Sequence, residues 1–328
     1  MTLDHVCGHD KVKNILLSSI KSSHISHAYI FDGKSGVGRY TTAQAFAHDF
    51  IGIESDYHPD IITVTNQLYD DTKKQTNLLV DTIRCMKKDV YIKPYSAEHK
   101  FYIIPNADSM NIEAQNSILK VFEEPPGYCT IILISENLNL FLPTIISRAT
   151  TIHFQPLPTM EVEEYLINYA NVDKNIAVSK AIMSGGSIGS ALNLLDNPEL
   201  DEIRNTTIEH IFSLSKIDNK NMYDFINFLK KNKENINFIL GILSSCFKDI
   251  LHIKHCGTNT EIINIDKKSE LKHFSNKISE NAAFAFCAIT TKYERVIKTN
   301  ANYPITMLCM VMEYWEEIHD RNYRSTIC

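Results

Sequence analysis

The sequence predicts an α/β domain built on a parallel sheet, followed by two all-helical parts. Three observations lead there. Short, nearly continuous apolar runs alternate with helix-like segments as far as Pro158. A glycine-rich turn follows the first run and opens a helix. Beyond Pro158 the strand signal stops while amphipathic helical periodicity continues.

The strands come in order as "AYIF" (28–31), "DIITV" (60–64), "FYII" (101–104), "TIILIS" (130–135) and "TTIHF" (150–154). Runs of this length and apolarity suit strands buried on both faces of a parallel sheet. Between them "DTIRCMKKDVYI" from Asp81 and "NIEAQNSILKVFEE" from Asn111 read as helices. In the second, Ile112, Leu119 and Phe122 share a side interrupted by polar Gln115, and Ala114, Ile118 and Val121 form the adjoining row, making one broad apolar face. Helices on both faces of the sheet are expected. The prolines of "QPLP" close the strand region. "TMEVEEYLINYA" then offers Thr159 as an N-cap, Gly185 and Gly186 mark a turn, and Ser187 is placed to cap the next helix. "MYDFINFLKKNK", "INFILGILSSCFKDILHIK" and "PITMLCMVMEYWEEI" are amphipathic or buried helices. Phe225, Phe228, Phe238, Leu240, Met307, Met310 and Trp315 are expected mostly to fill the core there. No internal repeat or low-complexity linker interrupts the chain.

The 328 residues suffice for two or three domains, and 44% hydrophobic with 22% charged residues is ordinary for a soluble globular chain. No run reaches the roughly 18 consecutive apolar residues of a membrane span, and the N-terminus lacks the apolar core of a secretion signal. A cytoplasmic protein without membrane contact is expected. The eight cysteines form no CxxC pair, so reduced, buried thiols are expected, with Cys328 exposed at the terminus. A net charge of −6 argues against a chain that grips DNA by itself.

The turn "GKSGVGRY" has the outline of a phosphate-binding loop, GxxxxGK[ST]. Gly33, Gly36 and Gly38 keep the framework that brings backbone amides to phosphates. Arg39 stands in the lysine position and Tyr40 in that of the magnesium-binding hydroxyl. Arginine is a planar fork where the site expects a point charge. The tyrosine hydroxyl lies too far from its backbone to replace serine at a metal. A second departure matches the first. An ATPase of this kind needs an acid at the end of a following strand to hold magnesium, and after "FYII" the chain reads Pro105-Asn106. Asp108 lies further on and is expected in turn or helix-cap hydrogen bonds.

Four blocks carry a family resemblance: "HAYIFDGKSGVGR" (27–39), the stretch from Val90 to Ser135, "LPTIISRATTIHFQPL" (142–157) and "SGGSIGSALNLL" (184–195), with "KTNANYPITML" (298–308) near the end. With these, the chain resembles the delta-prime type of subunit in bacterial DNA polymerase III clamp loaders, of the AAA+ family. The resemblance implies a RecA-like AAA+ module at 1–158, a helical lid at 159–203 and a helical collar domain at 204–328 that joins a five-subunit ring. Ser147 and Arg148 match the family's Ser-Arg-Cys motif, with Ala149 in the cysteine's place, and the resemblance gives Arg148 the role of a trans arginine finger at a neighbour's ATP. The partners it implies are gamma/tau-like and delta-like subunits, with the sliding clamp and primed DNA met through the assembly.

Several positions depart from the family pattern. "AHDFIGIESDYHPDII" (47–62) has no cysteine where many relatives carry a four-cysteine zinc module, so zinc is not expected, and His48 and His58 do not replace it. Gly189 and Ser190 stand where ATPase relatives place a lid arginine. Asn137 matches a polar sensor position, though a turn role is the simpler reading. Together these predict no metal site and no required cofactor, with ATP held weakly at Gly33, Gly36, Gly38 and Arg39 or only at the interface with a neighbour. The expected function is a non-hydrolysing ring subunit. An active AAA+ ATPase, gamma/tau-like, is the alternative, and Arg39, Tyr40 and Pro105-Asn106 weigh against it.

Overall fold

The structure, a computed structural model, describes residues 2–22, 24–52, 57–69, 78, 80–216, 218–256, 262–297 and 301–324. Cys328 and the first three residues of the block at 298–308 lie outside these. The chain divides into two compact units, 1–193 and 194–328.

In the first unit α1 (Asp10–Lys21) precedes β1 (Ala28–Gly33), and α2 (Arg39–Ile51) leads to β2 (Ile61–Thr63). Next come α3 (Asn66–Tyr69), α4 (Val80–Val90), β3 (Lys100–Ile104), α5 (Ile112–Glu123), β4 (Cys129–Ser135), α6 (Pro143–Ile146) and β5 (Thr150–Phe154). The five strands form one parallel sheet in the order β2-β3-β4-β1-β5. Alternate residues of β1 to β4 enter opposite cores, as a period of two requires, while β5 at the sheet edge sends Ile152 and Phe154 into one of them. Ala28, Ile30, Tyr102, Ile104, Ile131 and Leu133 pack with α4 and α5. Tyr29, Phe31, Phe101, Ile103, Ile132 and Phe154 pack with α1 and α2 on the other face. A sheet buried on both sides explains why its strands read as unbroken apolar runs.

Then come α7 (Thr159–Asn168), α8 (Lys174–Ser184) and α9 (Ile188–Asp196). Pro158, not Thr159, takes the N-cap position of α7, and no side chain caps that end. Proline's fixed φ already sets the extended entry, so Thr159 becomes the first helical residue. Ser187 does cap α9, its Oγ accepting from Ser190 N at 3.1 Å.

The α5 face also differs from its helical wheel. Ile112 is 65% exposed and Gln115 only 2%. The Gln115 amide donates to the carbonyls of Met110 (3.0 Å) and Leu140 (2.9 Å) and accepts from Leu142 N at 2.8 Å. A buried amide is tolerated when both ends are satisfied, and this one fastens the loop before α6 to α5.

The second unit holds α10 (Glu199–Ser213), α11 (Asn219–Lys231), α12 (Ile236–Cys256), α13 (Lys268–Ser275), α14 (Glu280–Ile297) and α15 (Tyr303–Arg324). The stretch Lys233–Cys256, which contains α12, is long and apolar enough to cross a membrane by length and composition alone. Here α12 serves as a core helix, with Ile239, Leu240, Leu243, Phe247 and Ile250 buried. Phe247, Phe286 and Tyr314 close the centre with ring centroids 4.9–5.4 Å apart. Phe225, Leu240, Met307 and Met310 are buried, while Phe228, Phe238 and Trp315 are partly so.

Candidate functional site

Ligands of open parallel sheets sit outside the carboxyl ends of the strands. The glycine loop lies there, between β1 and α2. Gly33 ends β1 opposite Phe154 of β5. Gly36 and Gly38 adopt φ of 73° and 99°, and Gly38 is the N-cap of α2.

A nearby helix start occupies part of the space above the loop. Gly189 N, in the first turn of α9, donates to Gly36 O at 2.9 Å, and Ser187 Oγ donates to Ser35 O at 3.0 Å. A β-carbon on Gly36 would fall 2.5 Å from Ser187 Oγ, and one on Gly189 would fall 2.8 Å from Gly36 Cα. Two backbones meet there because neither residue has a side chain. A cavity of about 360 Å³ remains beside the contact, lined among others by Val37, Arg39, Asn106, Tyr165 and Leu192.

Arg39, in the lysine position, is 7% exposed. Its Nη1 donates to the carbonyl of Ser135 at the end of β4, and its Nη2 lies 3.7 Å from Glu136 Oε1. Burial pulls the guanidinium below its ordinary range, opposed by the carboxylates of Glu136, Asp108 and Asp32. The cation is committed to protein oxygens and surrounded by protein anions. Tyr40 leaves the loop altogether, its hydroxyl 2.8 Å from Thr63 Oγ1 and accepting from Gln44 Nε2 at 2.9 Å.

At the end of β3, Asn106 sits at φ 52° and starts a 3-10 turn over Ala107–Ser109. Asp108 caps nothing in its own turn. Its Oδ2 accepts from Glu136 N at 2.9 Å and Ser135 Oγ at 3.4 Å, tying the end of β3 to that of β4. Asn137 is a turn residue, its Oδ1 accepting from Asn139 N at 3.0 Å. The one hydroxyl directly after Arg39, that of Tyr40, is turned to Thr63 and Gln44 rather than toward a magnesium position, and among the described residues no carboxylate stands free at the end of β3 to share the ion. Among the described residues no three His, Cys, Asp or Glu side chains converge on a metal position. These side chains do not fit a magnesium–triphosphate.

Arg148 lies far along the chain from the loop, just after α6 and before β5. Its side chain is 36% exposed, with Nη2 3.1 Å from Glu123 Oε1. Its Nη1 donates to Thr144 O at 3.0 Å and approaches Ser147 Oγ at 3.5 Å.

One further cluster has the composition of a nucleophilic triad but not its wiring. Asp60 N donates to His58 Nδ1 at 3.2 Å, so the ring proton sits on Nε2 and is donated to Ser96 Oγ at 3.1 Å. Ser96 Oγ then donates to Asp60 Oδ2 at 3.4 Å. A histidine that donates to the serine cannot take its proton. The Asp60 carboxylate also accepts from the amides of Tyr95, Ser96 and Ala97 at 2.6–2.9 Å. Burial opposes its charge, yet these amides hold it below the usual carboxylate range. The cluster pins the loop before β3 to the start of β2.

Residues 8–158 match the family described as DNA polymerase III, delta subunit. The delta-prime subunit of Bacillus subtilis DNA polymerase III is 27% identical over 314 residues, covering 89% of this chain and 92% of that protein. The chain resembles the clamp-loader delta-prime subunits. Replication factor C subunit 3 of Schizosaccharomyces pombe is 24% identical, over 91% of this chain and 90% of its own. The gamma/tau subunit of Mycoplasma genitalium is 25% identical over 67% of this chain, which spans only 39% of that relative. Likeness to delta-prime thus runs along nearly the whole chain.

The residue types at the loop were legible in sequence. Three contacts were not: the seat of Ser187 and Gly189 on the loop, the turn of Arg39 toward Ser135 and the Glu123–Arg148 pair. The small residues of "SGGSIGS" were a signal for the first, since close backbone approach needs them.

Proposed function

We propose that the chain is a non-hydrolysing, delta-prime-like subunit of a DNA polymerase III clamp loader, acting in the cytoplasm. In this reading it has three parts, a AAA+ module (1–158), a lid (159–203) and a collar (204–328). It joins gamma/tau-like and delta-like subunits in a ring, meets the clamp and primed DNA through that ring, and needs no cofactor or zinc of its own. The observation that carries the reading is the commitment of Arg39 to Ser135 and Glu136. A loop whose cation in the P-loop lysine position is spent on protein oxygens has lost that position's grip on phosphate. Arg148, partly exposed and ion-paired with Glu123, supports the second half of the reading, a finger offered to the ATP of a neighbour. Arginine suits it, being permanently charged and able to bind phosphate oxygens in pairs.

Two measurements test this. Titration of the purified chain with MgATP is expected to show no saturable micromolar binding and no turnover. Catalytic ATP consumption that required Arg39 would transfer the chain to the motor class. In the loader reconstituted with its gamma/tau and delta subunits, Arg148→Ala is expected to slow DNA-stimulated hydrolysis about tenfold or more, through lost charge stabilisation at one interface. Unchanged loader ATPase would remove Arg148 from the mechanism.

A further inference from the structure

Glu123 is the last residue of α5, immediately before Glu124 and the rigid Pro125-Pro126. An acid in the last turn of a helix faces the negative end of the macrodipole and is disfavoured there unless a cation answers it. The cation is Arg148, which reaches across from the link between α6 and β5. Among the described residues the Arg148 guanidinium touches Glu123 Oε1, Thr144 O and Ser147 Oγ. Both of its terminal nitrogens therefore carry contacts from the chain's own oxygens. A guanidinium has five N–H donors, so those contacts leave donors for an incoming anion. The carbonyl of Thr144 and the carboxylate of Glu123 hold the side chain in one orientation, where an unpaired arginine would sample many rotamers.

We propose that Glu123 is a positioning residue for Arg148, a claim that rests on the arginine-finger reading above. It holds the guanidinium oriented and partly exposed, so that a triphosphate on a neighbouring subunit meets a finger already aimed. The pair is half-exposed and therefore weak, and a multiply charged phosphate can displace Glu123 without dismantling α5. Glu123 does not touch the nucleotide and acts only through Arg148.

The test compares wild type, Glu123→Ala, Glu123→Gln, Arg148→Ala and the double Ala variant in the reconstituted loader, reading kcat and KM for DNA-stimulated ATP hydrolysis. Glu123→Ala is expected to lower kcat about three- to tenfold with KM changed less than about twofold, the signature of lost orientation. Glu123→Gln keeps an oxygen acceptor and is expected to recover most of that loss. The double variant is expected to equal Arg148→Ala alone. The proposal is overturned if Glu123→Ala leaves kcat unchanged, or if it lowers activity by the same factor in the Arg148→Ala background. It is equally overturned if Glu123→Ala markedly lowers the melting midpoint of the isolated chain, which would make Glu123 structural. An Arg148→Ala loader with full activity would instead remove the finger reading itself, and the positioning role with it.

Discussion

Arg39 separates what a residue is from what it does. Its type announced an altered phosphate loop, but only its partners show that the cation faces Ser135 and Glu136. Arg39→Lys, which restores the consensus residue, is expected to destabilise the chain by about 1–2 kcal/mol in urea unfolding, because a lysine replaces the fork with a single charged group. It is also expected not to create MgATP binding, since Tyr40 remains turned to Thr63; saturable binding by that variant would contradict this account of the loop. Gly36 carries a heavier structural load. Gly36→Ala would place a β-carbon at φ 73° against Ser187 and Gly189. A loss of about 2 kcal/mol or more is expected, measured as a lower urea midpoint with unchanged slope. An unaltered midpoint would show that the α9 contact yields freely.

Among elements, the α5 helix shows how far periodicity reaches. Its existence and its Ala114, Ile118 and Val121 row were legible, because a 3.6-residue repeat is a local property. The exchange of Ile112 for Gln115 at the buried face was not, since it depends on carbonyls at Met110 and Leu140 that folding brings to the amide. Strand β3 makes a prediction about acid. His99, beside its start, packs 5.0 Å from both Phe50 and Phe101 and donates Nε2–H to Thr130 Oγ1 at 2.9 Å. Burial lowers its pKa to about 4 from 6.5. The folded chain thus binds fewer protons than the unfolded chain between those values. His99 therefore contributes stability that is fully present above pH 6.5 and lost as pH falls toward about 4. The urea midpoint is expected to fall over that window and to fall less in His99→Phe; an identical slope in both proteins would remove His99 as the cause. Asp60 adds a second loss at lower pH, below its unfolded value of 3.8, because its folded value is depressed.

The whole molecule comprises two compact units, and the single tryptophan, Trp315, lies in α15 of the second. Its fluorescence therefore reports that unit. Arg204, buried on α10, donates to both carboxylate oxygens of Asp266 at 2.8 Å and to Asn264 Oδ1 at 2.9 Å. Asn264 in turn binds the buried carboxylate of Asp249 on α12 through its backbone N at 2.7 Å and Nδ2 at 2.8 Å. Arg204→Ala breaks this network and is expected to cost about 2–3 kcal/mol, seen as an earlier fluorescence transition. A fluorescence midpoint equal to wild type would show that the network contributes little to stability. The sequence by itself determined the strand–helix alternation, the end of the strands near Pro158 and the absence of the hydroxyl and acid that a magnesium site requires. Each of these depends on residue type and short-range spacing. Only the tertiary structure decided where Arg39 points, that α9 seats on the loop and that Glu123 meets Arg148. Those outcomes depend on partners 25 to 153 positions away in sequence, and a side chain's direction is set by the oxygen, charge or empty space it finds there.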